Sequence, residues 1–318
     1  MAKSSLKSFS SPYMKTILYI PTLNAGTKWQ EAILAVNQQT LKPTTKIIID
    51  SGSTDGTLNP VLIEGFEVIR IDKKDFDHGG TRQMAVNMFP DADVYIFLTQ
   101  DAILADPDAL KNLVKPFIDD PSVGVAYGRQ LPHKGAKALE AHPRLFNYPA
   151  SSQLRSLASV QQYGIKTISC SNSFAAYRKT AFQEAGGFPS GTILGEDVIA
   201  AGNILLNSWR LAYVSTAAVY HSHDYTVEEE FKRYFDIGVF HATNKWIFEH
   251  FGHAESEGLK YVRSELSYVT KHNPLQLPKA ILSIVAKWLG YKIGLLHTKL
   301  PLAMNRKLSM HKAYWLKR

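Results

Sequence analysis

The feature that most constrains this chain is a unit that recurs through its first two thirds: a short apolar run, a polar turn, then a stretch of helical period. Residues 16–20 run into Pro21-Thr22-Leu23-Asn24, and residues 46–49 into Asp50 and the turn Ser51-Gly52-Ser53-Thr54-Asp55-Gly56-Thr57. Residues 93–98 run into Thr99-Gln100-Asp101. Such alternation builds an α/β domain around a mostly parallel sheet. Further strands are expected at residues 68–71, 123–127 and 168–177. Helices are expected around residue 33, over 81–88, and from Asp106-Pro107, where a capping carboxylate precedes a proline in the first helical position. Ligands of open α/β sheets collect at the carboxyl ends of strands. Asn24, Asp50 and Asp101 all fall there.

At 318 residues the chain has room for one large α/β domain with an appendage. Its 45% apolar and 20% charged residues exclude a disordered chain. Residues 1–13, rich in Ser and Lys and without an apolar core, read as a flexible tail and not as a secretory signal. A single cysteine, Cys170, permits no intrachain disulfide and favours a reducing compartment. Uninterrupted apolar runs are too short to span a bilayer. The net charge of +8 attracts anions, but nucleotides, nucleic acid and acidic lipid all qualify.

The character changes after residue 225. Residues 228–251 read as one long helix with Phe231, Phe235, Ala242 and Trp246 on roughly one face. Residues 277–302 are apolar but punctuated by Lys279, Lys287, Lys292 and Lys299, and a basic tail follows. Two readings stand side by side: a membrane-interface segment with a lipid-facing basic tail, or a helix pair packed on the α/β domain with its basic face solvated.

Six positions carry candidate chemistry, with a seventh in competition. Asp101 follows a strand and could hold a divalent cation, Mg2+ or Mn2+ given its hard oxygens, or could merely cap a turn. Asp50 could accept a hydrogen bond from the N3–H of a uracil or thymine ring, or could close an Asx turn. Arg82, after His78-Gly79-Gly80 at an expected helix start, suits phosphate oxygens; a plain surface arginine is the alternative. Glu196-Asp197 opens a helix whose N-terminus favours an ionised carboxylate, and such a carboxylate can take a proton from an acceptor hydroxyl. His221 ends an apolar run and could serve as a metal ligand, with His223, two positions on, as a competitor.

Taken together, the landmarks Tyr19-Ile20-Pro21-Thr22-Leu23-Asn24, Ile49 to Thr57, Gly80-Thr81-Arg82-Gln83, Thr99-Gln100-Asp101, Gly186-Gly187-Phe188, Gly195-Glu196-Asp197 and Val219-Tyr220-His221 resemble the inverting family-2 glycosyltransferases of GT-A fold. The resemblance covers residues 16 to about 225. It implies a GT-A domain over residues 14–225 and a helical C-terminal region over 226–318. Pro21, Thr22, Asn24 and Asp50 would line the nucleoside pocket, with Gly80, Arg82 and Gln100 beside the nucleotide. Asp101 would be the last carboxylate of the family's DXD motif and a metal ligand, His221 a metal or diphosphate contact, Asp197 the general base, and Glu196 its neighbour.

One departure is plain. Thr99 stands where the motif has its first Asp, leaving the metal one carboxylate fewer. The Gln-X-X-Arg-Trp signature of processive members is absent, which points to transfer of a single sugar.

The segments Phe76 to Arg82 and Thr99 to Ala102 look like those of bacterial rhamnosyltransferases of O-antigen and related surface polysaccharides. That implies dTDP-β-L-rhamnose as donor and a sugar on undecaprenyl diphosphate as acceptor. The setting would be the cytoplasmic face of the inner membrane, with the enzyme peripheral on its surface.

A UDP-hexose transferase of the same fold is the alternative. A dehydrogenase is disfavoured because Gly-X-Gly-X-X-Gly is missing after the first strand. A nucleotidyltransferase is disfavoured because residues 24–28 are a poor Gly-rich loop. A basic nucleic-acid-binding protein is the reading from another class, but the basic residues are dispersed and form no recognised binding module, so no nucleic-acid partner is expected.

Overall fold

The computed structural model describes residues 14–59, 63–252 and 255–316. The expected tail, residues 1–13, lies outside them. Among the described residues nine strands form one sheet: β1 (Thr16–Thr22), β2 (Thr45–Asp50), β3 (Glu67–Arg70), β4 (Val94–Leu98), β5 (Ile103–Leu104), β6 (Val123–Leu131), β7 (Gln153–Arg155), β8 (Phe174–Arg178) and β9 (Arg210–Tyr220). Their order is β3-β2-β1-β4-β8-β6-β9-β5, with β7 paired to β9. The β3-β2-β1-β4 half is wholly parallel, as the βα alternation requires. Antiparallel β8 joins it to β6 and the parallel β6–β9 pair.

The helices are α1 (Trp29–Asn37), α2 (His78–Met88), α3 (Ala109–Asp119), α4 (Ala138–Asn147), α5 (Val160–Tyr163), α6 (Lys179–Glu184), α7 (Glu196–Leu206), α8 (Val227–Thr243), α9 (Trp246–Phe251), α10 (Glu255–His272), α11 (Leu277–Leu295) and α12 (Leu302–Leu308). Alternation within each strand sends side chains to opposite faces. Leu18, Ile20, Ile48, Ile96 and Leu98 face a core closed by Trp29, Ile33 and Val36 of α1 and Leu110, Leu113 and Phe117 of α3. Tyr19, Ile47, Ile49, Tyr95, Phe97 and Tyr177 face the other core, closed by α2, α6, α7 and α8.

The change of character near residue 225 is not a break in packing. Phe235, Val239 and Phe240 of α8, and Ile247 and Phe251 of α9, are buried in the same core as the strands. The Thr226 hydroxyl accepts the Glu229 amide at 3.2 Å while Glu229 accepts the Thr226 amide at 2.8 Å, a reciprocal cap that starts α8 cleanly. Helix α11 packs on α8 at its glycines: a Cβ on residue 290 or 294 would lie 2.3 Å or 2.1 Å from the carbonyl oxygen of Phe231 or Phe235.

Three expectations need correction. Residues 168–177 are not one strand. A 3-10 turn spans Gly164–Ile168 and β8 begins only at Phe174, because Ser169, Ser171, Asn172 and Ser173 offer side-chain hydrogen bonds that compete with a ladder. The helix expected over 228–251 breaks at Asn244, whose backbone leaves the helical region (φ −120°, ψ 53°), and so divides into α8 and α9. Helix α3 starts at Ala109 and not at Pro107, because the Asp106 carboxylate takes the Asp108 amide at 2.9 Å in a local turn.

Candidate active site

The first cluster forms where β1 and β2 end side by side, with Thr22 paired to Asp50. The Asp50 carboxylate accepts the Thr22 hydroxyl (3.0 Å), the Ser53 hydroxyl (2.5 Å) and the amides of Gly52 and Ser53 (both 3.0 Å). Burial pushes its pKa up, but the Ser53, Gly52 and Thr22 hydrogen bonds outweigh that and leave it below the ordinary value. All of its usual acceptor positions are taken within the chain, so the Asx-turn geometry is realised here.

Asn24, in the left-handed region at φ 46°, accepts the Thr54 amide at 2.8 Å. Pro21 completes the edge as part of β1. Gln100 clamps the backbone of Leu23, its oxygen accepting the amide at 2.8 Å and its nitrogen donating to the carbonyl at 3.2 Å. It thereby ties the β4 loop to the β1 end.

The second cluster is a consequence of strand pairing. After β4 the chain crosses to the edge of the sheet, where Ile103 pairs with Tyr220 of β9. That register carries Asp101 against the residues that follow β9. Oδ2 of Asp101 lies 3.4 Å from Nε2 of His221 and 3.7 Å from Nε2 of His223. One ligand atom from each of the three falls within 4.8 Å of the others. Both histidines that the sequence left in competition are therefore present. Burial lowers the pKa of His221, and burial with the neighbouring His221 lowers that of His223 to about 3, so both rings are neutral near pH 7.

Gln130 decides which nitrogen of His221 carries the proton. Its Oε1 accepts Nη1 of Arg144 at 2.6 Å and lies 3.0 Å from Nδ1 of His221. Arginine can only donate, so this atom is the amide oxygen and Nδ1 bears the hydrogen. The lone pair of Nε2 then faces a carboxylate oxygen. Lone pair against lone pair is an arrangement that suits a cation between them, and the two-imidazole, one-carboxylate set fits a divalent ion.

The third cluster sits at the start of α7, after Gly195 in the left-handed region (φ 77°). The Asp197 carboxylate accepts the backbone amides of Asn172 (2.9 Å) and Val198 (2.8 Å). Glu196 pairs with Arg82 at 3.1 Å and accepts the Asn172 side-chain amide at 3.1 Å. The two acids differ. Burial raises both, but Arg82 leads the groups that bring Glu196 below its ordinary value. Burial and the charge of Glu196 raise Asp197 to about 7. The expectation of a plainly ionised Asp197 is corrected accordingly: the helix N-terminus does not outweigh burial beside a second acid.

Arg82 and Gly80 also differ from expectation. Helix α2 begins at His78, capped by Asp77, whose carboxylate takes the Gly80 amide at 2.6 Å. Arg82 is thus in the second turn, 4% exposed, bound to Glu196 and to the His78 carbonyl at 2.8 Å. The glycine at 79 admits backbone and not ligand, since a Cβ there would lie 1.8 Å from the Pro189 oxygen.

Arg82, Asp101, Gln130, Arg144, Asn172, Glu196, Asp197, His221 and His223 all line one cleft of about 730 Å3. Sequence reasoning missed Gln130, Arg144 and Asn172. The only local signal was an asparagine amid serines in a segment read as strand.

A parallel β3-β2-β1-β4 half-sheet with an acid after β4, histidines after β9 and a carboxylate at a helix start defines the class of GT-A glycosyltransferases. Residues 17–186 match the family described as Glycosyl transferase family 2, and the chain belongs to that family. It is 50% identical over 304 residues to the O-antigen chain rhamnosyltransferase RfbN of Salmonella typhimurium, covering 95% of this chain and 96% of the relative. It is 45% identical over 299 residues to the O-antigen chain rhamnosyltransferase WbaN of Salmonella anatum, covering 94% and 95%. Among solved structures, the fold is shared with the mannosyltransferase PcManGT of Pyrobaculum calidifontis in complex with GDP-Man and Mn2+. The TM-score is 0.56 at 18% identity, covering 95% of this chain and 85% of that one. It is also shared with residues 1–349 of S. aureus TarS in complex with UDP-GlcNAc (TM-score 0.51, 15% identity, 90% and 92% covered).

Proposed function

We propose that this chain transfers a single L-rhamnose, with inversion, from dTDP-β-L-rhamnose to a hydroxyl of a polyprenyl-diphosphate-linked saccharide in O-antigen synthesis. The observation that carries the reading is that Asp197 and the Asp101–His221–His223 cluster line one cleft. The donor sugar is argued from the two rhamnosyltransferase relatives, each matched over nearly its whole length.

In this reading Asp197 is the base. Two backbone amides fix its carboxylate, and a pKa of about 7 suits it to take a proton near neutrality. As the acceptor O–H bond breaks, its oxygen attacks the anomeric carbon from the face opposite the diphosphate. The bond from that carbon to the diphosphate oxygen breaks, and a nucleoside diphosphate leaves with the electron pair. The β-donor gives an α-linked product. Asp101, His221 and His223 would hold a divalent cation, Mg2+ or Mn2+, which supplies charge neutralisation for the leaving diphosphate. Glu196 keeps Arg82 in place, and Arg144 and Gln130 fix His221. Pro21, Thr22, Asn24 and Asp50 are assigned to the nucleoside end; for Asp50 to read a base edge, one Ser53 bond must give way.

The setting is a membrane surface. No helix among the described residues is long and apolar enough to cross a bilayer. Helix α11, however, turns small residues inward (Ala280, Ser283, Gly290 and Gly294) and large apolar ones outward (Ile281, Leu282, Val285, Trp288 and Leu289). Residues 273–318 hold nine Lys and Arg and no Asp or Glu. An outward apolar stripe in an acid-free segment suits the interface of an anionic bilayer, where a lipid-linked acceptor resides.

The test is incubation with dTDP-β-L-rhamnose, Mg2+ or Mn2+ and a polyprenyl-diphosphate-linked saccharide. Rhamnose transfer is expected. Transfer only from UDP-hexoses would favour the alternative donor, and no transfer from any nucleotide sugar would overturn the reading.

A further inference from the structure

The C-terminal segment has no part in the chemistry so far, yet it is built into the wall of the site. Asp236 of α8, fully buried, accepts the backbone amides of Met310 (2.9 Å) and His311 (3.2 Å). Ser309 is fully buried as well, and Trp315 packs near Phe235 and His297. The segment is held at both ends, and between them it presents His311.

The His311 ring meets the ring of His78 edge-on, with Nδ1 of His311 3.4 Å from Nε2 of His78. His78 is the first residue of α2, and its carbonyl holds Arg82. This pair stands between two cavities. On one side is the catalytic cleft; on the other is a cavity of about 510 Å3, and both His78 and His311 line both of them. The second cavity is bounded by Leu23 at the end of β1, by Lys73 and Asp77 before α2, by Thr192 before α7, and by Lys312. Its acid, Asp77, is already engaged by the amides of Gly80 and Gly191. Two lysines, Lys73 and Lys312, lie on its lining as well. The cavity therefore runs from Leu23, the chain neighbour of Thr22 and Asn24, to the His78–His311 pair it shares with the catalytic cleft.

We propose that segment 309–316 completes the donor site, with His311 contacting the diphosphate of a bound nucleotide sugar where the two cavities meet and Lys312 adding charge at the outer one. The proposal rests on the reading of this site as one for a nucleoside-diphosphate sugar. It adds a donor-contacting residue from outside the segment that matches the family. A neutral imidazole between the cavities can donate one N–H to a phosphate oxygen, and a hydrogen bond to a charged group is strong enough to matter.

The experiment uses the full chain with four sequences: wild type, His311→Ala, the volume-preserving His311→Gln, and Lys312→Ala. Binding of dTDP and UDP is measured calorimetrically in the presence of Mg2+. Donor and acceptor KM are measured in the transfer assay, and melting is followed by circular dichroism. The His311 variants are expected to weaken nucleotide binding and raise donor KM by about tenfold, the size of a lost hydrogen bond to a charged group. Acceptor KM should stay within about twofold, with melting unchanged. Lys312→Ala should have the same effect in smaller measure, growing as salt is lowered. Unchanged nucleotide binding in a folded His311→Gln chain, or a rise confined to acceptor KM, would overturn the assignment while leaving the proposed function standing. A wild-type chain that binds neither nucleotide would overturn both.

Discussion

Nε2 of His221 lies 3.4 Å from Oδ2 of Asp101, although one follows β9 and the other β4, and β8 and β6 separate those strands in the sheet. The two-residue strand β5 closes the gap by pairing Ile103 with Tyr220. The cluster is thus a product of topology, and the cation it is suited to hold should be needed for donor binding. Removing divalent ions with a chelator is expected to abolish transfer, and Mg2+ or Mn2+ to restore it. Asp101→Ala should be inactive at any metal concentration. A chelated enzyme with full activity would dismiss the cluster as a metal site.

A pH prediction follows from Asp197. A base must be ionised to accept a proton, and its pKa is raised to about 7. Transfer is therefore expected to rise with unit slope from acid pH and level off above about pH 7. Asp197→Asn should lower kcat by about 10²-fold or more, the usual range for a lost general base. A flat profile from pH 5 to 8 in the wild type would argue against the role.

The same group makes an opposite prediction for stability. An acid whose folded pKa lies above its unfolded value binds more protons folded than unfolded. It costs stability as pH rises from about the unfolded value of 3.9 through the folded one. Asp197→Asn removes that penalty. The variant is expected to melt above the wild type at pH 8, with the difference shrinking toward pH 4. Equal melting at both pH values would show that the carboxylate is not destabilised by its surroundings.

Arg82 and Glu196 form a pair with side chains 5% and 7% exposed. Breaking such a pair leaves a charge buried alone, a loss of about 3 kcal/mol or more. Arg82→Met should lose roughly this much in urea unfolding, and adding Glu196→Gln should recover part of it. Additive losses in the double variant would mean the two act independently.

Much of this was legible in the sequence, for identifiable reasons. The parallel half-sheet follows from βα alternation, and the Asp50, Asp101 and Asp197 positions follow from strand and helix ends. The other supports were not legible. Asn172 binds both acids, but it lies in a loop whose neighbours mimic a strand. Gln130 and Arg144 orient His221 from β6 and α4, across a distance in sequence that no local pattern records. Arg82 was expected at the helix end because α2 begins three residues earlier than its apolar period suggests. The side chain that buries it, Glu196, is visible only in three dimensions.

The central claim is that metal holding and proton acceptance are divided between Asp101 and Asp197 within one cleft. The most direct measurement is calorimetric titration of dTDP into Asp101→Ala and Asp197→Asn, with and without Mg2+, beside their transfer rates. Asp197→Asn is expected to keep Mg2+-dependent binding near that of the wild type while transferring sugar at least about 10²-fold more slowly, and Asp101→Ala to lose the Mg2+-dependent part of binding. Loss of Mg2+-dependent binding in Asp197→Asn, or its retention in Asp101→Ala, would contradict it.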